Sequence, residues 1–381
     1  MKRSVSLATV IIFCLFLAGF AAAFLLTPAR GFSGQENREL AQAPELTASG
    51  LFSGKFASEA NEYIADQFPA RDELVKLKSA AELALLKRAN NGVLYTQNQL
   101  AVLEFDAYCS RLKTTRNADG FYANSVEARA KSYSGRIKET GLPAVTLVPP
   151  RTIDVAGKTF GCPGHGDDLF ALLKQSFTPE AGFINLLPDM RAAYEAGEYI
   201  IYRTDHHWTT YGAYEAYVRI MNALGAGENI IAKDEFSVEK VDGFSGTTAA
   251  RANFPCCPRD VLEIWTLPDE GDYTVIADGA DIGGFYNRER LEPSDKYSVF
   301  LDGTHGVTAV TKKSGEARKT LLVIKDSFAN CLIPFLSREF DIVALDISSA
   351  AQLKSAVEQY SPDALLTVCN AENIVSNGAL N

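Results

Sequence analysis

The sequence predicts an α/β fold in which a mostly parallel sheet carries helices on both faces. Short apolar runs, typical of buried strands, alternate with segments of helical periodicity between residues 144 and 368. An apolar, uncharged segment stands at the N-terminus, and two amphipathic helical patterns follow it. We therefore divide the chain into 1–30, a signal anchor or signal peptide; 31–90, a linker and helical region; and 91–381, the α/β domain, with an insertion near 236–311.

The N-terminal segment predicts export. Lys2 and Arg3 precede an apolar run from Val5 to Leu26 that contains no charged residue. About 20 apolar residues suffice to span a bilayer as a helix, and the leading cations favour a cytoplasmic N-terminus. Small residues at 21–23 would also suit cleavage of a signal peptide. Both alternatives stay open: the domain lies on the extracytoplasmic face of the cell membrane, or it is secreted.

Net charge and cysteine content narrow the class of protein. The formal net charge is −10, which argues against a nucleic-acid partner. Export permits disulfides, but spacing does not give their connectivity, and no C-x-x-C pattern supports a zinc ribbon or a redox site. Beyond the N-terminal segment the cysteines are Cys109, Cys162, Cys256, Cys257, Cys331 and Cys369.

The elements follow from periodicity and from turn residues. Apolar residues at helical spacing predict helices over 55–68, 71–87, 125–139, 170–175, 190–196, 211–224, 328–336 and 350–360. Short apolar runs predict strands over 93–95, 100–103, 144–148, 183–186, 199–203, 320–325, 342–345 and 364–368. Between 236 and 311 the alternation lapses into Gly-, Asp- and aromatic-rich sequence, which predicts loops over the sheet edge.

A candidate nucleophile follows one of these strands. Leu321–Ile324 is a buried-strand pattern, and Ser327 lies in the turn between it and a helix. Ligands of α/β sheets bind at the carboxyl ends of parallel strands, and a helix N-terminus favours a developing oxyanion. A serine hydroxyl needs a base, and the base needs an orienting acid.

A candidate base and acid stand two residues apart. Asp205 precedes His207, and the chain holds only four histidines. In an extended segment, residues two apart point to the same side. We therefore predict that Asp205 orients His207 toward Ser327, while His206 points to the opposite side.

The run Asp205-His206-His207-Trp208 resembles the defining motif of the DHHW protein family. Through it the chain resembles the alginate O-acetyltransferase-like SGNH hydrolases, in which a D-x-H motif precedes a later serine. Asp326-Ser327 resembles their G-D-S turn, with Lys325 in place of the glycine. Segments 36–40, 66–71 and 295–301 add to the similarity, which covers nearly the whole chain. The resemblance implies a three-layer SGNH-hydrolase-like sheet.

The resemblance also implies a function. It suggests an extracytoplasmic serine-dependent O-acyl, specifically O-acetyl, transferase or esterase that acts on cell-surface polysaccharide. Ser327 would be the nucleophile, His207 the general base and then acid, and Asp205 its orienting partner. A separate membrane protein would supply the acetyl donor. No cofactor and no metal are expected.

Further site residues are candidates by the same resemblance. Gly303 and Thr304 are the nearest counterparts of the family's oxyanion-stabilising glycine and asparagine, and Asn330 is another possible donor. A threonine hydroxyl can still donate one hydrogen bond. Trp208 and Tyr211 are candidates for contact with the substrate.

Two other hypotheses compete with this one. The chain could be a non-catalytic envelope protein that binds glycan or scaffolds a biosynthetic complex, with Trp208, Tyr211, Phe285 and Tyr286 stacking on sugars. A metal site could instead use Asp205, His206, His207 and His305. Adjacent histidines do not normally point the same way, and no helical His-x-x-x-His occurs.

Overall fold

The structure is a computed structural model that describes residues 2–34, 38–96, 98–102, 126–292, 295–315 and 317–376. It divides into two compact units. The first comprises residues 1–90 with 253–256, and the second comprises 91–252 with 257–381. The candidate site lies entirely in the second unit.

The first unit is mostly helical. Its elements are α1 (Lys2–Leu26), β1 (Phe32–Ser33), β2 (Arg38–Glu39), α2 (Ala48–Ser53), α3 (Lys55–Asp66), α4 (Arg71–Ala84) and β3 (Ala89–Asn90). Within α1, Ala8–Leu26 is long and apolar enough to cross a membrane, a test that a signal sequence near the N-terminus also passes. This stretch could cross a membrane because it contains no charged residue and is long enough to span the hydrocarbon layer as a helix.

A buried carboxylate ties the segment after α1 to the end of α3. Asp66 accepts two hydrogen bonds from the Arg38 guanidinium, at 2.8 and 2.5 Å, and one from the backbone N–H of Ala41 at 2.9 Å. The hydrogen bonds from Arg38 lower the pKa of Asp66 to about 2. Arg38 and Asp66, which belong to two of the segments that carry the family resemblance, therefore form an ion pair.

The second unit is built on an eight-stranded sheet, in the order β11-β10-β12-β14-β13-β15-β6-β7. Strands β14, β13, β15, β6 and β7 run parallel. Strands β12, β10 and β11 complete one edge antiparallel. The strand bounds are β4 (Val93–Thr96), β5 (Gln99–Val102), β6 (Ala144–Leu147), β7 (Phe183–Ile184), β8 (Ser237–Phe244), β9 (Asp260–Thr266), β10 (Tyr273–Ala277), β11 (Ala280–Asp281), β12 (Val307–Lys312), β13 (Thr320–Lys325), β14 (Asp341–Asp346) and β15 (Ala364–Val368).

Helices pack around this sheet and enclose the core. Their bounds are α5 (Val126–Thr140), α6 (Thr152–Val155), α7 (Asp167–Ser176), α8 (Leu187–Glu195), α9 (Thr210–Ala223), α10 (Thr247–Ala252), α11 (Ile333–Leu336), α12 (Leu353–Tyr360) and α13 (Ala371–Ser376). Helix α5 packs against α7, α12 and α13, and α9 packs against α11. The central strand β13 is buried from Leu321 to Lys325, as its apolar sequence predicts.

The predicted α/β fold class is confirmed, with local differences. The segment predicted as loops over the sheet edge contributes β10, β11 and β12 to the sheet itself. The predicted strand 199–203 is irregular, with a single bridge between Ile201 and Trp208. The predicted helix 328–336 divides into a 3-10 turn, Ser327–Ala329, and α11. Among the described cysteines none forms a disulfide with another. Cys109 lies outside the described residues.

Candidate active site

The nucleophile turn is held by the carboxylate beside it. Asp326 caps the 3-10 turn that follows β13, since its side chain accepts from the backbone N–H of Phe328 at 3.0 Å. The same carboxylate accepts from the backbone N–H of Asn370 at 2.7 Å. Burial raises the pKa of Asp326 above its usual value. Asp326 therefore has a structural role, and it leaves Ser327 half-buried at the carboxyl end of the strand.

A second buried carboxylate shapes the loop that carries the histidines. Asp260 accepts from the backbone N–H groups of Arg203 (2.9 Å) and Thr204 (2.8 Å) and from the Tyr199 hydroxyl (2.5 Å). These bonds satisfy backbone donors that a strand would have paired with a neighbour. The loop can therefore leave the extended conformation just before Asp205.

Asp205, His207 and Ser327 form one chain of hydrogen bonds. His207 Nε2 lies 2.7 Å from Ser327 Oγ, and His207 Nδ1 lies 2.5 Å from Asp205 Oδ1. The backbone N–H of His207 also donates to Asp205 Oδ1, at 3.0 Å. The structure thus brings the three predicted side chains together. It does so through a bend closed by Asp205 rather than through the alternation of an extended segment.

The other oxygen of Asp205 is held from α10. Thr247 donates to Oδ2 through its backbone N–H at 2.9 Å and its hydroxyl at 3.0 Å. A Cβ added to Gly246 would stand 2.3 Å from Asp205 Cβ, so this close approach requires glycine. Burial raises the pKa of Asp205, but the neighbouring His207 and its hydrogen bonds outweigh burial and hold that pKa well below its usual range. The carboxylate is therefore charged at neutral pH.

The prediction from side-chain alternation placed His206 on the side opposite His207, but the structure places the two rings next to each other. The two rings lie 3.9 Å apart between centroids. His206 Nδ1 lies 2.7 Å from Thr247 Oγ1. Because that hydroxyl gives its one proton to Asp205, Nδ1 of His206 must be the donor of the pair. His206 Nε2 is then a hydrogen-bond acceptor.

Tyr297 is a site residue that the sequence did not reveal as such. Its ring stacks on the His207 imidazole, with centroids 3.7 Å apart and planes inclined by 7°. Its hydroxyl donates to the carbonyl oxygen of Ser327 at 3.1 Å. Burial raises the pKa of Tyr297 well above its usual value, so the phenol remains neutral. The Tyr297 side chain therefore contacts both the His207 ring and the turn that carries Ser327. Its position in segment 295–301, which carries part of the family resemblance, was the one sequence signal that could have pointed to it.

The two aromatic candidates for substrate contact, Trp208 and Tyr211, pack against other parts of the protein. Trp208 is 1% exposed, and its Nε1 donates to the carbonyl oxygen of Phe328 at 3.1 Å. A ring this buried has no face for a sugar, so Trp208 instead joins the histidine loop to the nucleophile turn. Tyr211 is half-buried and contacts Trp265 and the Lys233 ammonium.

The candidate oxyanion donors are also engaged elsewhere or exposed. Asn330 is buried, accepts from Lys325 Nζ at 2.8 Å and donates to the Gly303 carbonyl at 2.9 Å. The Gly303 N–H donates to Phe300, and Thr304 is exposed. Lys325, which stands where the resemblance expects glycine, thus braces the nucleophile turn through Asn330.

A backbone N–H group beside Ser327 Oγ is a further candidate for this role. The N–H of Ser327 begins the 3-10 turn and makes no hydrogen bond to any described residue. A free N–H at the start of a turn, next to the attacking oxygen, is the usual position of an oxyanion donor.

A cavity of about 210 Å³ lies beside the hydrogen-bonded chain, with the neighbouring residues His206 and Phe328 in its wall. It is lined by side chains that follow β6, β13 and β15, three adjacent parallel strands. Because the carboxyl ends of such strands share one edge of the sheet, the cavity occupies the usual ligand position of an α/β fold. Its lining includes Arg151, Thr152, His206, Arg251, Phe328 and Asn370.

The arrangement favours proton transfer over metal binding. Asp205, His206 and His207 offer ligand-capable atoms within 4.8 Å of one another. A metal would have to replace the Asp205–His207 and His206–Thr247 hydrogen bonds. His305, the fourth residue of the metal hypothesis, contacts Asp278 instead, at 3.2 Å.

Comparison with known proteins finds one matching family profile and several similar folds. Residues 181–345 match the sequence profile of the family described as DHHW protein. A solved DHHW family protein from Eubacterium siraeum is similar, with a TM-score of 0.57 and 18% identity, over 76% of this chain and 94% of that chain. Bacillus cereus PatB1 with a sulfonyl adduct is similar, with a TM-score of 0.57 and 17% identity, over 76% of this chain and 99% of that chain. At these identities the likeness shows a common fold.

The O-acetyltransferase domain of Pseudomonas putida AlgJ also matches, with a TM-score of 0.42 and 14% identity, over 75% of this chain and 92% of that chain. No curated protein matches the chain. The match of residues 181–345 to the DHHW protein profile confirms the resemblance predicted from Asp205 to Trp208.

Proposed function

We propose that the chain is an extracytoplasmic serine-dependent O-acyl transferase or esterase that acts on cell-surface polysaccharide, with acetyl as the acyl group. The observation that carries the proposal is the unbroken hydrogen-bonded chain from Asp205 through His207 to Ser327 Oγ. Nucleophile, base and orienting acid in this order are what acyl transfer through a serine ester requires.

The proposed reaction uses these three side chains in two half-reactions. Ser327 Oγ attacks the acyl carbonyl carbon while His207 Nε2 takes the hydroxyl proton. The tetrahedral intermediate collapses when His207 returns that proton to the departing alcohol oxygen, which leaves the acyl group on Ser327. A sugar hydroxyl or water then attacks the ester, His207 takes its proton, and Ser327 Oγ recovers it. Asp205 keeps the Nδ1 proton in place and stabilises the imidazolium.

Charge on the carbonyl oxygen needs a donor in both half-reactions. The N–H of Ser327 suits this role because it stands at the start of the turn with no described partner. Loss of one such donor typically costs about 2.7–4 kcal/mol of transition-state stabilisation. The cavity beside Ser327 offers polar side chains to position the acyl acceptor.

The proposed location rests on α1. Its charge-free stretch Ala8–Leu26 and the leading Lys2 and Arg3 favour export of the rest of the chain. In this arrangement the acetyl group must arrive from a donor outside the cytoplasm, and a separate membrane protein would supply it.

The first experiment is a covalent test. The chain is treated with a serine-reactive sulfonyl fluoride, and intact mass with peptide mapping locates the adduct. We expect one adduct on Ser327, and none in Ser327→Ala; the sulfonyl adduct of the similar PatB1 motivates the reagent. Labelling elsewhere, with Ser327 unmodified, contradicts the proposal.

Turnover is the second experiment. We expect Ser327→Ala and His207→Ala each to abolish hydrolysis of a small chromogenic acetyl ester, and full activity in either variant contradicts the proposal. Adding candidate polysaccharide fragments separates transferase from esterase, because transfer forms an acetylated sugar and hydrolysis forms acetate. Full activity after removal of metal by chelation would exclude the metal hypothesis.

A further inference from the structure

The helices after α1 carry apolar side chains that remain exposed among the residues the structure describes. In α4, Leu74 and Leu77 are 43% and 67% exposed, and the helix ends at Leu85, which is 82% exposed. Ile64, near the end of α3, and Phe68, in the turn that follows α3, are 52% and 37% exposed. We name these five residues the outer apolar face. Their helical spacing in α4 is that of an amphipathic helix with one apolar side.

The outer apolar face is continuous from α3 to α4. Ile64, Phe68 and Leu74 line one open groove of about 410 Å³, bordered by Arg71 and Lys78. Apolar residues gathered in this way, rather than scattered singly, mark an interaction surface.

Helix α4 also carries charged side chains that are engaged in ion pairs. Asp72 contacts the Arg30 guanidinium at 2.7 Å, and Glu82 contacts Lys87 at 2.7 Å and Lys78 at 3.3 Å. Charged side chains therefore border the outer apolar face at Lys78, as they do on helices that lie in a membrane interface.

Aromatic contacts join the outer apolar face to the membrane segment. Phe68 stacks on Phe20 of α1 with centroids 5.2 Å apart, and Tyr63 of α3 contacts Phe24 at 5.8 Å. Phe20 precedes the end of the apolar stretch at Leu26 by six residues, or about 9 Å along a helix. Interfacial helices bury their apolar faces about 5–10 Å into the boundary between headgroups and acyl chains. Phe68 therefore lies at the depth that an interfacial helix reaches.

We propose that the outer apolar face rests in the outer leaflet of the bilayer that α1 spans, so that the ligand of this surface is phospholipid at the headgroup–acyl boundary. The inference rests on the proposed function only in one respect, the retention of α1 as an anchor. Continuity with α1 favours lipid over a second copy of the chain or another membrane protein.

The test uses the full chain in nanodiscs of phosphatidylcholine and phosphatidylglycerol with brominated acyl chains. Leu77→Trp places a fluorophore on the outer apolar face. Lys76→Trp is its matched control, at the preceding exposed position of α4 outside that face. The native Trp208 and Trp265 are buried and give a common background. We expect bromine to remove most of the emission added by Leu77→Trp and little of that added by Lys76→Trp.

Three results overturn the proposal. Equal quenching of both variants by bromine shows no preference for lipid. Protection of Leu77→Trp from both bromine and aqueous acrylamide shows that protein covers the face. Cleavage of the segment before residue 31 in cells, seen by intact mass, removes the anchor. Ester turnover measured in the same nanodiscs tests the proposed function separately, because the substituted positions lie outside the unit that holds Ser327.

Discussion

Replacing Tyr297 with leucine removes the ring that stacks on His207 while keeping an apolar side chain in its place. The ring faces the imidazole at 3.7 Å with an inclination of 7°, so it meets the positive charge that His207 gains when it takes the proton of Ser327. A cation over an aromatic face is stabilised by about 0.5–2 kcal/mol. At 1.36 kcal/mol for each factor of ten, kcat should fall roughly 2- to 30-fold.

Two further variants separate the contributions of Tyr297. Tyr297→Phe keeps the stacked ring and removes the hydrogen bond to the Ser327 carbonyl. A hydrogen bond of this kind contributes about 0.5–1.5 kcal/mol, and the ring contribution should be retained. Trp208→Phe also changes a buried aromatic that hydrogen-bonds to the nucleophile turn, but Trp208 does not stack on His207. It is therefore the control for general disturbance of packing.

The assay is steady-state hydrolysis of a small acetyl ester, with kcat and KM determined for each variant and folding checked by thermal unfolding. We expect Tyr297→Leu to lower kcat with little change in KM, because the charge on His207 develops only during reaction. Equal loss in Tyr297→Leu and Trp208→Phe at matched stability would refute the reasoning. So would a Tyr297→Phe variant as slow as Tyr297→Leu.

Four other variants test the surroundings of the site. Asp205→Asn should lower kcat by about 10⁴-fold, since an amide cannot fix the His207 proton as a carboxylate does; single-turnover kinetics measures this, and a loss below tenfold contradicts it. Gly246→Ala should displace Asp205, because the added Cβ would stand 2.3 Å from it; we expect lower kcat and lower thermal stability, and wild-type values for both would show that the approach is not tight. Thr304→Ala should keep wild-type kcat because Thr304 is exposed, and a large loss would restore it as an oxyanion donor. Asp154→Asn should lower the free energy of unfolding by about 2 kcal/mol at pH 7. Burial raises the pKa of Asp154, but the neighbouring Arg151 and His165 outweigh burial and lower that pKa from 3.8 to about 2. This stability is present above pH 3.8 and is lost as pH falls toward 2, so urea titrations of the two proteins should converge in acid and not at neutral pH.

Much of the candidate site could be predicted because its signals are local. A buried strand followed by a polar turn and a serine predicts a side chain at the carboxyl end of a parallel strand, and Ser327 lies there. Asp205 and His207 are two residues apart, so their contact needs no long-range information. The prediction paired His207 with Ser327, and the two side chains lie within hydrogen-bonding distance, but the prediction assumed an extended backbone that the loop does not have.

Other parts of the fold escaped prediction because their strands pair antiparallel at the sheet edge. Residues 273–277 and 307–312 are separated by a long irregular stretch, and nothing in their own sequence says that they meet. Trp208 was a candidate for sugar contact because aromatic side chains serve that purpose, and only packing shows that its ring is enclosed.

The α/β class and the apolar N-terminal helix follow from the sequence, as do the neighbouring pair Asp205 and His207 and a serine, Ser327, in the turn after a buried strand. Periodicity and short-range spacing encode each of these features within a few residues, but neither says that Ser327 lies beside His207, 120 positions away. The tertiary structure alone decided that Thr247 and Gly246 support Asp205 and that Tyr297 stacks on His207. These contacts join residues 41 to 90 positions apart, where sequence spacing carries no information about distance in space.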